Sequence, residues 1–179
     1  AYNLTAIRDP QQMVALHLMD SLAVAPYVFG AADQLSATPV LDVGSGAGLP
    51  GIPLALYYPQ TEFVLLDSNG KKTRFLQQMK IELGLANVSI IQARVEDYDG
   101  AFEQVICRAF ASLANIVTTT QHLVAEGGSL LAMKGKLEDE KLTATELQVV
   151  AVHALEVPGI EAERHLYELR RHTHHQKGD

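Results

Sequence analysis

Residues 41–51 read LDVGSGAGLPG, and this stretch is the most informative segment of the chain. An apolar run begins at Val40 and stops at Gly44, which is typical of a buried strand that ends in a turn. Glycines let a backbone turn tightly and approach a ligand, and the helix predicted after the turn offers N–H groups that lack partners within the helix. The stretch therefore predicts a strand, a ligand-binding turn and a helix, in that order.

The glycine spacing distinguishes this turn from the dinucleotide-binding turn of nicotinamide dehydrogenases. That fingerprint is G-x-G-x-x-G, and its third glycine, counted from Gly44, falls at position 49. The chain has Leu49 there, so the fingerprint fails. A nucleotide ligand without phosphates remains compatible with the turn.

Strand and helix patterns alternate on both sides of the turn. Strand patterns occupy 40–43, 62–67, 88–91, 104–107 and 129–133, and helix patterns occupy 11–29, 49–58, 70–83 and 113–124, the first opened by Asp9-Pro10. This alternation predicts an α/β fold whose parallel strands are joined by right-handed crossovers. Partial period-two patterns at 146–157 and 163–169 flank Pro158-Gly159 and predict an antiparallel strand pair.

Three acidic residues follow three successive strands of the predicted sheet. Asp42, at the end of the first strand, could face a cationic or amino-bearing ligand. Asp67, at the end of the second, could accept hydrogen bonds from two ribose hydroxyls, and Glu96 after the third could hold an adenine edge. Each acid taken alone could equally cap a helix. Together, around a glycine turn, they predict a site for S-adenosylmethionine.

Length and composition exclude several classes of protein. The 179 residues suit one domain, and 47% hydrophobic with 20% charged residues indicate a globular chain. No apolar run approaches the ~20 residues of a membrane-spanning helix. The single cysteine, Cys107, excludes an intrachain disulfide and multi-cysteine metal sites, and it suits the cytoplasm. We expect no membrane partner and no metal, and we interpret 172–175 (HTHH) as a frayed tail rather than a chance metal site.

The charge distribution is uneven along the chain. The formal charge of −7 argues, for the whole chain, against a polyanionic partner. Between Lys71 and Arg94, however, five basic residues meet one acid, whereas Glu138 to Glu168 holds eight acids and two basic residues. The second predicted helix could therefore present a basic edge to phosphates, or it could be an ordinary solvated face.

Five motifs along the chain are specific rather than generic: YNLT at 2–5, HLMDS at 17–21, DVGSGAGLPGIP at 42–53, LLDS at 65–68 and RAFA at 108–111. From Tyr2 to about Leu166 the chain resembles the glucose-inhibited division protein B family, bacterial enzymes that methylate guanine N7 in small-subunit ribosomal RNA. The resemblance implies a Rossmann-like, class I S-adenosylmethionine-dependent methyltransferase with a mainly parallel seven-stranded sheet flanked by helices and an antiparallel C-terminal strand. It also implies action on the 530-loop guanine of 16S RNA, as naked RNA or within the ribosomal particle.

Site residues follow from the turn, the acids and the resemblance together. The predicted cofactor-binding residues are Asp42, Gly44, Gly46, Gly48, Leu49, Asp67, Ser68, Val95, Glu96 and Arg108. The resemblance places a second set around the mouth of the site: Asn3, His17, Asp20, Arg94, Arg108 and Lys134. All of these except Asp20 are the candidate substrate-positioning residues. Alternatives remain open for three residues: Arg108 could pair with Asp42 or Glu96, His17 could be a core histidine, and Phe110 could stack on a base or pack in the core.

The resemblance also bears on domain organisation. Family members usually carry a further helical segment before the YNLT motif. We expect 1–36 to form an N-terminal helical segment that is shortened relative to the family, 37–170 to form the methyltransferase domain, and 171–179 to form a tail.

The expected chemistry is an in-line methyl transfer. Guanine N7 has an in-plane lone pair and carries no proton, so we assign no catalytic base. Arg94 and Arg108 could orient the guanine, since a guanidinium donates in a fork or lies flat on a base. Two other functions stay open: a small-molecule methyltransferase of the same fold, which the acidic total favours, and a cofactor-binding protein without turnover.

Overall fold

The computed structural model describes residues 10–29, 38–108, 111–137, 141–143 and 145–172. The helices are α1 (Pro10–Leu22), α2 (Ala25–Phe29), α3 (Gly51–Tyr57), α4 (Gly70–Leu83) and α5 (Leu113–Thr120). The strands are β1 (Val40–Val43), β2 (Phe63–Asp67), β3 (Val88–Gln92), β4 (Phe102–Arg108), β5 (Val124–Lys134), β6 (Leu147–Ala154) and β7 (His165–Arg171). Single 3₁₀ turns lie at Val95–Asp97 and Gln121–Leu123.

The seven strands of the described residues form one sheet in the order β3-β2-β1-β4-β5-β7-β6. Strands β1 to β5 are parallel, and β7 runs antiparallel between β5 and β6. The prediction of a mainly parallel seven-stranded α/β sheet with an antiparallel C-terminal strand is confirmed. Strand order reverses between β1 and β4, and in open α/β sheets ligands bind outside the carboxyl ends of the strands at such a point.

Two hydrophobic clusters pack on the two faces of the sheet. Successive residues of one strand enter different clusters, because side chains alternate across a strand. Val40 packs with α2, α3 and α4, whereas the next residue, Leu41, packs with α5. Both side chains are fully buried, so the sheet is covered on both faces around β1.

The N-terminal helix is shorter than predicted. The periodic pattern at 11–29 predicts one helix, but α1 ends at Leu22 and a separate turn of helix, α2, begins at Ala25. Pro26 explains the break, since proline has no N–H to donate and is tolerated only in the first turn of a helix. The predicted cap Asp9 lies outside the described residues.

The boundary between α5 and β5 is also corrected. The helix predicted at 113–124 ends at Thr120, and β5 already begins at Val124. Val124 pairs with Phe102 across an irregular register, which glycines at 127 and 128 accommodate. Here long-range pairing overrides a local helical pattern.

Helix α4 matches its predicted bounds because both ends carry local stop signals. The side chain of Asn69 accepts hydrogen bonds from the N–H groups of Lys71 and Lys72 at 2.9 and 3.3 Å. Gly84 ends the helix with φ +62 in the left-handed region. Because α4 follows β2 directly, its N-terminal end lies at the sheet edge where the glycine turn begins.

Candidate cofactor site

A cavity of about 740 Å³ opens at the carboxyl ends of the central strands. Its volume falls in the range of small-molecule sites, which is about 300–1,000 Å³. Eight of the ten predicted cofactor residues line it: Gly44, Gly46, Leu49, Asp67, Ser68, Val95, Glu96 and Arg108. The cavity therefore brings together the glycine turn after β1, the end of β2, the segment after β3 and the end of β4.

The glycine turn presents its backbone to the cavity. Gly44 and Gly46 have φ values of +70 and +58, which favour glycine. A Cβ added at Gly44 would meet no atom within 4 Å, so the space in front of this residue is open. The backbone can thus approach a bound ligand without an intervening side chain.

Asp67 connects the second strand to the glycine turn. Its Oδ2 accepts the N–H of Gly46 at 2.9 Å, and its Oδ1 accepts the N–H of Asn69 at 2.9 Å. A carboxylate has about four lone-pair positions, so each oxygen keeps one for a ligand. Asp67 is therefore held rigidly at the cavity wall with acceptor capacity for two hydroxyl groups.

Two predicted cofactor residues, Asp42 and Gly48, lie behind the turn rather than in the cavity wall. The buried Asp42 Oδ2 accepts the N–H of Gly51 at 3.0 Å and so fixes the start of α3. Burial raises the pKa of Asp42 to about 8. A Cβ at Gly48 would lie 2.5 Å from Ile52 Cδ1, so this glycine permits close packing. Both residues shape the turn from its protein side, which the spacing alone does not reveal.

Arg108 forms an ion pair with an acid of α1 that the sequence analysis did not consider as its partner. Its Nη2 lies 3.8 Å from Oδ2 of Asp20, which is 2% exposed. The other oxygen of Asp20 accepts a hydrogen bond from Arg164 Nε at 3.0 Å. The carboxylate of α1 thus joins the last residue of β4 to the residue that precedes β7, and it holds Arg108 at the edge of the cavity.

His17 lies one turn before Asp20 on α1. Partial burial and then the nearby Arg108 cation lower the pKa of His17 below its usual value, while Asp20 opposes this shift. The imidazole is therefore neutral at pH 7. His17 does not line the cavity, and its place at the mouth of the site stays a prediction.

Of the remaining candidates, Arg94 alone among the described residues lines the cavity. Arg94 is exposed. Lys134, the last residue of β5, does not line the cavity; the buried Nζ donates to the carbonyl of Ala111. Asn3 and Phe110 lie outside the described residues.

Sequence reasoning missed Arg164 and Lys72 as site residues. Arg164 meets Asp20 across 144 positions of sequence, and nothing local to either residue signals that pair. Lys72 lines the cavity from the first turn of α4. Its place in the first turn of the helix that follows the acid at the end of β2 is the signal that could have identified it.

Within the described ranges, no group of three or more His, Cys, Asp or Glu residues could hold a metal ion. Over the same part of the chain, no helix has the length and apolar character needed to cross a membrane.

Comparison with known proteins agrees with this geometry. The chain is 50% identical over 175 residues to ribosomal RNA small subunit methyltransferase G of Marinomonas sp. (strain MWYL1). The matched residues cover 96% of this chain and 81% of the relative. It is 51% identical over 172 residues to the protein of that name from Methylococcus capsulatus, covering 94% and 80%. A solved SAM dependent methyltransferase from Aquifex aeolicus shares the fold, with a TM-score of 0.60, 15% identity, and coverage of 91% of this chain and 99% of that one.

A family model covers most of the chain as well. The GidB model, described as rRNA small subunit methyltransferase G, matches residues 1–167. This range includes the glycine turn, the cavity residues and the three residues of the ion-pair cluster, Asp20, Arg108 and Arg164. The chain therefore belongs to the GidB family of rRNA small subunit methyltransferase G proteins.

Proposed function

We propose that this protein transfers a methyl group from S-adenosylmethionine to N7 of a guanine in small-subunit (16S) ribosomal RNA, the guanine of the 530 loop. The observation that carries the proposal is the cavity at the strand-order reversal, with the open backbone of Gly44 on one side and the Asp67 carboxylate on another. The names of the family and of its relatives supply the substrate class. A ribosomal substrate also implies that the protein acts in the cytoplasm.

The described residues fit S-adenosylmethionine as the ligand. Asp67 keeps two acceptor positions for the ribose hydroxyls. Ser68, Val95 and Glu96 line the part of the cavity beyond β2 and β3, where an adenine edge would need hydrogen-bond partners. The positive φ of Gly44 and the open space before it leave room for the amino-acid portion along the turn.

When bound, S-adenosylmethionine supplies an electrophilic methyl group on a sulfonium. The chain's own contribution is to bind the two reactants in line, since orientation carries much of the barrier for such a transfer. The rigid turn does this on the cofactor side, because Asp67 is fixed by the N–H of Gly46 and Asp42 is fixed by the N–H of Gly51.

Arg108 is proposed to orient the guanine. It lies at the cavity edge, and Asp20 restrains its guanidinium at 3.8 Å. A guanidinium can donate to guanine O6 or lie flat on the base. Arg94, exposed on the opposite wall after β3, is the second candidate for this role.

No residue is assigned as a general base. Guanine N7 carries no proton, and methylation leaves the base cationic, so nothing needs to be abstracted. We propose that the mouth of the site positions the base and does not deprotonate it.

The test is methylation of unmodified ribosomal RNA. The protein is incubated with labelled S-adenosylmethionine and with naked 16S RNA, small ribosomal particles or a mixture of free metabolites. We expect label in RNA or particles, and nucleoside mass spectrometry is expected to identify 7-methylguanosine at one position. Label in metabolites alone would support the small-molecule alternative that the net charge of −7 favours. Cofactor binding without methyl transfer to any acceptor would contradict both RNA methylation and small-molecule methylation.

A further inference from the structure

The first two turns of α4 expose three cations and one aromatic ring. Lys71, Lys72 and Arg74 are exposed, and 48% of Phe75 is exposed. Lys71, Arg74 and Phe75 lie on one side of the helix, because residues three and four apart are neighbours on a helix surface. Lys72 lines the cofactor cavity. These four residues, the α4 basic face, therefore begin at the rim of the site.

Carboxylates do not neutralise this face within the described part of the chain. None of the ion pairs there includes Lys71, Lys72 or Arg74. The acid on α4, Glu82, lies about 15 Å further along the helix axis and accepts a hydrogen bond from Gln78. The charges of the α4 basic face are thus available to a partner.

The placement of these cations is unfavourable for the helix itself. The N-terminal end of a helix carries partial positive charge and prefers acidic side chains, yet α4 has no acid in its first turn. Exposure of a phenylalanine ring adds a further cost. A stretch that breaks local preferences without an ion pair in return is expected at a binding surface.

We propose that the α4 basic face binds a single-stranded segment of the RNA substrate, with phosphates on Lys71 and Arg74 and an unpaired base stacked on Phe75. The inference rests on the proposed function. Cations beside an exposed aromatic ring suit single strands, whose bases offer free ring faces. Because the face begins at the cavity rim, a strand bound along it leads directly to the cofactor site.

The salt dependence of RNA binding tests the phosphate contacts. The Lys71→Gln/Arg74→Gln double variant is compared with Arg170→Gln. Arg170 is exposed and paired with Glu168, and it lies beside Ser129 at the amino-terminal ends of the parallel strands, away from the cavity. Affinity for an unmodified 16S RNA fragment is measured from about 50 to about 200 mM salt.

Each phosphate contact on a single strand contributes about 0.7 to the slope of log affinity against log salt. We expect the double variant to lower the slope by about 1.4 and the control variant to leave it unchanged. The double variant is also expected to raise KM for RNA while kcat and the Kd for S-adenosylmethionine stay at wild-type values. An unchanged slope would overturn the phosphate contacts.

Phe75 is tested with two substitutions of similar size. Phe75→Leu keeps apolar bulk but removes the ring, so RNA affinity is expected to fall by about 5-fold to about 140-fold, whereas Phe75→Tyr keeps the wild-type affinity. Equal affinity of the leucine and wild-type proteins would overturn the stacking contact. Wild-type cofactor affinity in each variant verifies folding.

The two proposals fail in different ways. If the wild-type protein methylates no small-subunit RNA or particle, the proposed function fails. If it methylates RNA but the double variant and Phe75→Leu both match it in KM and salt slope, only the α4 basic face is overturned.

Discussion

Substitution of Gly44 by alanine is expected to weaken cofactor binding far more than it weakens the fold. Gly44 has φ +70, and an added Cβ would meet no protein atom within 4 Å. The cost to the free energy of unfolding is therefore only the left-handed strain, about 1–2 kcal/mol. The new methyl group, however, enters the space where the backbone would approach the ligand.

Gly48→Ala is the matched control, four residues away in the same turn. Gly48 has φ +88, so alanine suffers the same strain. Its Cβ would also lie 2.5 Å from Ile52 Cδ1 and 3.0 Å from Leu76 Cδ2, which adds about 1–3 kcal/mol of overpacking. We expect Gly48→Ala to lose about 2–5 kcal/mol of stability in all.

The assays are calorimetric titration with S-adenosylmethionine and urea unfolding. Gly44→Ala is expected to raise Kd at least about tenfold, which corresponds to about 1.4 kcal/mol, and Gly44→Val to abolish binding. Gly48→Ala, measured where it is folded, is expected to bind within about twofold of wild type because it does not line the cavity. Wild-type affinity in Gly44→Ala would refute the assignment of the turn as the cofactor wall.

Three further predictions concern acidic residues. Asp20→Asn removes the carboxylate shared by two arginines and is expected to cost about 3–5 kcal/mol in urea unfolding; a loss below about 1 kcal/mol would contradict the buried ion-pair cluster. Asp67→Asn places an amide N–H₂ against a backbone N–H and is expected to weaken cofactor binding about 10- to 100-fold, whereas the exposed Asp97→Asn leaves it unchanged. Asp42, with its pKa raised from 3.8 to about 8, binds a proton more tightly in the folded state, so its contribution to stability is complete below pH 4 and is lost as pH rises toward 8. We compare the free energies of unfolding of wild type and Asp42→Asn from pH 5 to 8. Their difference is expected to change by about 1.4 kcal/mol per pH unit, and a constant difference would contradict the raised pKa of Asp42.

Elements with strong local signals were predictable from sequence. Helix α4 matches its predicted bounds at 70–83 because Asn69 caps one end and Gly84 takes a left-handed conformation at the other. β1 also matches, since its apolar run stops at Gly44. Where boundaries differed, at α1 and at β5, a proline or a long-range strand pair overrode the helical period.

The candidate site divides in the same way. Gly44, Asp67 and Glu96 line the cavity as expected, because the carboxyl ends of parallel strands meet at one edge of a sheet. Asp42 and Gly48 have the same local pattern but lie behind the turn. The spacing of residues along a tight turn does not predict which of them face the ligand and which face the protein interior.

Local sequence signals specify the strand–glycine turn–helix unit, the acid at the end of β2 and the alternation that produces a parallel sheet. These depend on glycine φ values, capping and hydrophobic periodicity, which act over a few residues. Only the folded chain shows that β7 lies between β5 and β6 and that Asp20 joins Arg108 to Arg164, which is 144 positions from Asp20. Such contacts depend on how distant segments pack, and that packing leaves no signal in the residues beside any one of them.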